Sequence, residues 1–262
     1  LHLATMEFFY NVFRLIWRAW FYVFFGLSLI IMTPVLLLLT INEKQYPFLY
    51  KIIRAFSKTL IFVMGFRLKK HIEESLDTTQ SYMFCPNHTS MLDPFILISM
   101  VKKPIVFVGK AELKKIPIFG FFYKRICILV DRSDQKSRKE VYFSAKRRLK
   151  NGTSVAIFPE GMVPQEDIIL SPFKNGAFSL AIEHQIPIVP AIYFDCKRFF
   201  SWNYFKGRPG TIRIKQHKPI FTKGLEKKDL NIIKEKTFEV LFNDLSNDEV
   251  YMKDTNRKRN DE

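Results

Sequence analysis

Residues 84–94 read Phe84-Cys85-Pro86-Asn87-His88-Thr89-Ser90-Met91-Leu92-Asp93-Pro94. An apolar run stops at Pro86, which has no backbone donor to offer a sheet. Pro94 suits the first turn of a helix. His88 therefore falls in a loop between a strand and a helix, where chemistry is often placed. His88 and Asp93 are five residues apart, which in a regular helix leaves their side chains about 140° apart. They meet only if the loop turns between them. Two readings stand. In one, Asp93 accepts a hydrogen bond from one ring nitrogen of His88 and leaves the other free as a base. In the other, Asp93 caps the helix and His88 is a packed loop residue. Ser90 lacks the Gly-x-Ser-x-Gly turn that exposes a nucleophilic serine. Cys85 is close enough in sequence to suggest a thiol nucleophile, but a free cysteine in a strand is ordinarily core.

Outward from this loop, short runs rich in Ile, Val and Phe recur at residues 82–85, 104–108, 127–130, 154–158, 188–194 and 211–215. Turn residues bound them, as expected of strands. Helical patterns lie between, at about residues 134–150, ending at Asn151-Gly152, and at about 171–184. A last helix is expected over about 228–245. Strands alternating with helices predict an α/β fold, a mixed sheet flanked by helices.

The N-terminal part has a different character. Residues 19–41 contain no charged side chain. At about 1.5 Å per residue, a helix of that length matches a bilayer core of about 30 Å. Arg14, Arg18, Trp17, Trp20 and Tyr22 gather at one end, as interfacial anchors do. Residues 47–66 mix apolar side chains with Lys51, Arg54 and Lys58 at helical spacing, predicting an amphipathic helix in the headgroup region. The expected organisation is a membrane-associated helical pair over residues 1–66, a catalytic domain over 67–250 and a charged, frayed tail over 251–262.

The 262 residues carry a net charge of +16 and include 27 Phe. A basic, aromatic chain meets either nucleic acid or an anionic membrane. No nucleic-acid motif is present, and the apolar N-terminus favours the membrane. Three scattered cysteines give no disulfide framework and no CxxC pair for zinc, so no metal is expected.

Asn87-His88-Thr89-Ser90-Met91-Leu92-Asp93 resembles the HX4D motif of the glycerolipid acyltransferases, most closely the 1-acylglycerol-3-phosphate acyltransferases of bacterial type. Three further blocks follow in that family's order: Gly109-Lys110-Ala111-Glu112 with Val130-Asp131-Arg132, Phe158-Pro159-Glu160-Gly161, and Ile186-Pro187-Ile188-Val189-Pro190. Phe173-Lys174-Asn175-Gly176-Ala177 resembles the segment after the third block. The resemblance implies acyl transfer from a coenzyme A or acyl-carrier-protein thioester to the sn-2 hydroxyl of 1-acylglycerol-3-phosphate. It implies direct attack without an acyl-enzyme, His88 as base, Asp93 as its orienting partner, and no cofactor. It points to Lys110, Arg132, Glu160, Gly161 and Lys174 as substrate-binding candidates. Backbone N–H groups of residues 87–90 are candidate donors to the oxyanion. The implied location is the cytoplasmic side of an inner membrane. One departure stands out. After Glu160-Gly161 the family usually continues Thr-Arg-Ser, where this chain has Met162-Val163-Pro164. The motif arginine associated with the acceptor phosphate is missing, which leaves open a phosphate-free acceptor such as a lyso-aminolipid. A non-catalytic lipid-binding protein is the reading from a different class.

Overall fold

A computed structural model describes residues 2–131 and 133–256. The strands are β1 (Phe66–Ile72), β2 (Met83–Pro86), β3 (Ile105–Lys110), β4 (Ile128–Val130), β5 (Ser154–Ala156), β6 (Ile188–Tyr193) and β7 (Gly210–Gln216). They form one sheet in the order β1-β7-β6-β2-β5-β3-β4. All neighbours are parallel except β6 and β7, so the sheet is mixed as expected. The parallel strands β2, β3 and β5 end on one side, which places the loops after Pro86, Lys110 and Ala156 together.

The helices are α1 (His2–Leu39), α2 (Tyr46–Val63), α3 (Asp93–Met100), α4 (Phe119–Ile126), α5 (Gln135–Lys150), α6 (Gly176–Glu183), α7 (Cys196–Phe199), α8 (Leu230–Asn247) and α9 (Glu249–Asn256). Alternate residues of each strand feed opposite faces. Phe84, Val189 and Tyr193 join Trp17, Phe21, Leu60, Leu92 and Phe200 on the face covered by α1–α3. Met83, Cys85 and Ile192 join Val141, Ala145, Phe178 and Leu241 on the face covered by α5, α6 and α8.

Four local expectations change. The amphipathic helix stops at Val63, and Gly65, at φ +75°, turns the chain into β1, an edge strand absent from the sequence reading. A Cβ on Gly65 would lie 2.9 Å from that of Pro209, so close approach also favours glycine. Helix α6 begins at Gly176, not near 171, because Ser171 and Lys174 are tied to the third block by bonds described below. The apolar helix starts far earlier than residue 19; Arg14 and Arg18 lie within it. The frayed tail is instead ordered through Asn256: Asp248 Oδ1 caps Tyr251 N at 2.8 Å, and the buried Tyr251 hydroxyl donates to Ile169 O at 2.8 Å. Residues 257–262 lie outside the described residues.

Helix α1 is long and apolar enough between Thr5 and Leu39 to cross a membrane, and only 6% of its most apolar window is buried. Phe8, Phe9, Ile16, Ile31 and Leu38 are exposed on it. Its inner face packs on α2 and α3 through Phe24–Phe56 and Phe25–Phe95 ring contacts.

Candidate active site

The turn required between His88 and Asp93 is made around one oxygen atom. Asp93 Oδ2 lies 2.9 Å from His88 Nδ1 and accepts Thr89 N–H at 2.6 Å and Ser90 N–H at 2.8 Å. Asp93 is fully buried in the first turn of α3. Three donors converging on one buried oxygen suit a carboxylate, so Nδ1 carries the proton and Nε2 presents its lone pair. Nε2 takes part in no hydrogen bond with the described residues, and the His88 side chain is 20% exposed. The Phe158 ring stacks on the imidazole at 4.0 Å and 19°, and Phe107 backs Phe158 at 6.0 Å. The orienting reading of Asp93 thus has its geometry, and Asp93 also organises the loop backbone.

Before the loop, Asn87 extends the sheet with its side chain. Its Oδ1 accepts Tyr193 N–H at 2.8 Å and its N–H donates to Ala191 O at 3.2 Å. After the third block, Glu160 reaches back. Its Oε1 accepts His88 N–H at 2.7 Å and its Oε2 accepts Ser171 N–H at 2.9 Å. Lys174 N–H donates to Pro159 O at 2.8 Å. These bonds are why residues 171–174 are not helical. Glu160 is 2% exposed, and burial pushes its carboxyl up to about 7. It was a candidate for gripping substrate; both of its oxygens instead hold backbone.

The same accounting removes the expected oxyanion donors. The N–H groups of Asn87, His88, Thr89 and Ser90 are all committed within the protein, to Ala191 O, Glu160, and Asp93 twice. Ser90 is no nucleophile either: its hydroxyl donates to Phe200 O at 2.7 Å and accepts Leu92 N–H at 3.2 Å. Cys85 is fully buried, and burial pushes its thiol far up, away from a reactive thiolate.

Gly161 makes the turn after Glu160 at φ +84°, its N–H donating to Phe158 O at 3.0 Å. Lys110 ends β3 with an exposed ammonium 3.6 Å from Glu112. The Lys174 side chain is exposed. Arg132 lies outside the described residues. The sequence reading missed Lys197 on α7. It is half-buried, donates to Ile168 O at 3.3 Å, and faces the charges of Glu166, Asp167 and Glu160; burial lowers it to about 8. No motif flags it. It also missed the packing role of Phe158, although that residue stands in the third block. Among the described residues, no group of three or more His, Cys, Asp or Glu side chains is placed to hold a metal ion.

Residues 67–194 match the model of the acyltransferase family. The chain is 28% identical over 212 residues to the 1-acyl-sn-glycerol-3-phosphate acyltransferase of Saccharomyces cerevisiae, covering 80% of this chain and 70% of that protein. It is 31% identical over 183 residues to the enzyme of that name from Cocos nucifera, covering 66% of this chain but only 56% of the relative. The crystal structure of the 1-acyl-sn-glycerophosphate acyltransferase PlsC from Thermotoga maritima superposes with a TM-score of 0.74 at 19% identity, covering 92% of this chain and 96% of that one, a likeness of fold. With four motif blocks in order, an imidazole–carboxylate pair joined at 2.9 Å and this set of relatives, the chain belongs to the acyltransferase family.

Proposed function

We propose that this protein transfers a fatty acyl chain from an acyl thioester to the sn-2 hydroxyl of 1-acylglycerol-3-phosphate, giving phosphatidic acid. The observation that carries the reading is His88, with Nδ1 bonded to buried Asp93 and Nε2 left open beside a stacked ring. The acceptor hydroxyl gives its proton to Nε2 as its oxygen attacks the thioester carbonyl. Asp93 stabilises the imidazolium that forms. The tetrahedral intermediate then collapses, the C–S bond breaks, and the imidazolium proton goes to the departing sulfur. The ester and a free thiol leave, and His88 returns to its starting state. Direct transfer is consistent with Ser90 and Cys85 both being buried and engaged or inert. The dyad supplies the base itself, so this reading calls on no cofactor beyond the thioester co-substrate, coenzyme A or acyl carrier protein.

The lyso-lipid is met at a membrane surface. The exposed apolar side chains of α1 and the net charge of +16 support attachment to an anionic bilayer. Because acyl thioesters are made in the cytoplasm, the catalytic face is placed on that side, at the inner membrane in a bacterial cell. Lys110, Arg132 and Lys174 are proposed to offset the acceptor's phosphate in place of the missing motif arginine.

The test is acyl transfer in phospholipid vesicles containing either 1-acylglycerol-3-phosphate or a phosphate-free lyso-aminolipid, with each thioester as donor. Phosphatidic acid is the expected main product. Faster acylation of the phosphate-free lipid would overturn the acceptor assignment and favour the reading suggested by Met162-Val163-Pro164.

A further inference from the structure

Arg18 sits in a helix that is otherwise apolar over most of its length, yet its side chain is 2% exposed. Its Nη2 donates to the carbonyls of Ser201 and, at 3.0 Å, Lys206. Its guanidinium lies over the Phe200 ring at 4.5 Å and the Tyr204 ring at 5.3 Å. None of the ion pairs among the described residues includes it. Burying a cation against carbonyls and aromatic rings without an opposite charge is a poor way to gain stability, since desolvation opposes it. A retained buried charge of this kind points to geometry that it enforces.

That geometry is residues 200–206. At one end, Phe200 O accepts the Ser90 hydroxyl of the catalytic loop at 2.7 Å, and the Phe200 ring packs on Trp17 and Phe21. In the middle, the Ser201 hydroxyl donates to Glu166 Oε1 at 3.0 Å. At the far end, the Lys206 ammonium meets Glu166 Oε2 at 2.8 Å. Glu166 lies on the segment that follows Glu160-Gly161. Tyr22, one turn after Arg18, adds a bond to the Tyr204 hydroxyl at 3.0 Å and a contact of 3.7 Å to Met91 Sδ. One segment therefore touches α1, the His88–Asp93 loop and the chain after the third block.

We propose that Arg18 is a positioning residue for acyl transfer. By fixing residues 200–206 through two carbonyls it holds the catalytic loop through Ser90 and the chain beyond Gly161 through Glu166. The apolar helix is then part of the active-site frame as well as a lipid contact. Lysine at position 18 offers a point charge with no planar face to lie on Phe200 and Tyr204, so it replaces arginine only in part.

The proposal rests on the acyltransferase reading, and the assay separates the two. If wild-type full-length protein in vesicles forms no acyl product, the function fails; the present inference is judged on variants of an active wild type. Arg18→Met is expected to lower kcat about 30-fold, with KM for both substrates within about 3-fold and vesicle flotation unchanged. Arg18→Lys should recover about a third of the loss on a logarithmic scale. Ser90→Ala cuts the other end of the same link. The double variant should therefore lose clearly less than the product of the two single losses. Glu166→Gln lies on the outer side of the segment and guards against a misfolded Arg18→Met; it should lower kcat about 5-fold at an unchanged melting temperature. Wild-type kcat in folded Arg18→Met or Glu166→Gln, multiplicative losses in the double variant, or a loss of activity that only tracks loss of vesicle binding would each overturn it.

Discussion

The catalytic loop and the basic rim around it are built on opposite principles. In the loop, the backbone N–H groups of residues 88–90 and the Asp93 and Glu160 carboxyl groups are tied to one another out of water. At the rim, Lys110 and Lys174 are exposed, and the Lys110 ammonium lies 3.6 Å from the Glu112 carboxylate. A buried network has one arrangement, and removing a member leaves others unpaired. An exposed ammonium is screened and mobile, and its loss is felt mainly where an anion must be held. The loop should therefore govern turnover and the rim the affinity for the phosphorylated acceptor.

The largest effects should come from the dyad. His88→Ala removes the base and should lower kcat by about 10²- to 10⁴-fold in a protein with an unchanged circular-dichroism spectrum. Asp93→Asn should approach the same loss, because an amide no longer fixes the His88 tautomer. Near wild-type turnover in either folded variant, measured with saturating substrates, would place the chemistry elsewhere. Glu160→Gln is the next step down. It keeps the shape but sets an amide NH₂ against one of two backbone N–H groups, so kcat should fall about 10- to 100-fold with little change in KM. An unchanged kcat with a raised KM for the acceptor would instead return Glu160 to direct substrate binding.

For the basic candidates the expectation inverts. Arg132→Ala should raise the apparent KM for 1-acylglycerol-3-phosphate about 10-fold while leaving the donor KM nearly constant, and Arg132→Lys should recover part of the change. A fall in kcat alone would blur the distinction between the two regions.

The smallest effect is a pH signature of the buried network. Burial raises the Glu160 carboxyl from an ordinary 4.5 to about 7. The folded state therefore holds this proton more tightly than the unfolded chain. The group's contribution to stability is full below about 4.5 and is lost as pH rises through about 7. Glutamine has no such titration. The melting temperature of the wild type minus that of Glu160→Gln should therefore decline between pH 4.5 and 7.5, by several degrees at most. A difference that stays level or grows with pH would show that burial does not raise Glu160 and that it is ionised in the folded state through the range.

What could be read from sequence follows physical range. The buried parallel strands announced themselves as Ile, Val and Phe runs, because both of their faces are covered. Edge strand β1, with Arg67, Lys69, Lys70 and His71, carries the charges that keep sheet edges from pairing, so it looked like the end of an amphipathic helix. The Met64-Gly65 step was the signal that could have found it. His88 and Asp93 were legible because a motif ties them within five residues. The roles of Glu160 and Phe158, and the engagement of the N–H groups of Asn87 and His88, depend on bonds between segments some 70 residues or more apart in the chain, which no local pattern encodes. The early start assigned to α6 failed because Ser171 is held by Glu160, a side chain outside the helical pattern.

Trp17 and Phe21, from the helix whose other side faces outward, are 8% and 2% exposed in the same cluster as Phe84, Leu92 and Phe200. The consequence lies in biogenesis. The face of the sheet nearest the catalytic loop has no finished surface until α1 is laid across it, so the helix that carries the exposed apolar face also completes the fold of the enzyme. A fragment cut at residue 67 would keep every motif residue and still emerge with its interior open to water, prone to clump before it ever met a substrate. If α1 meets lipid as proposed, synthesis of active enzyme is tied to the availability of membrane.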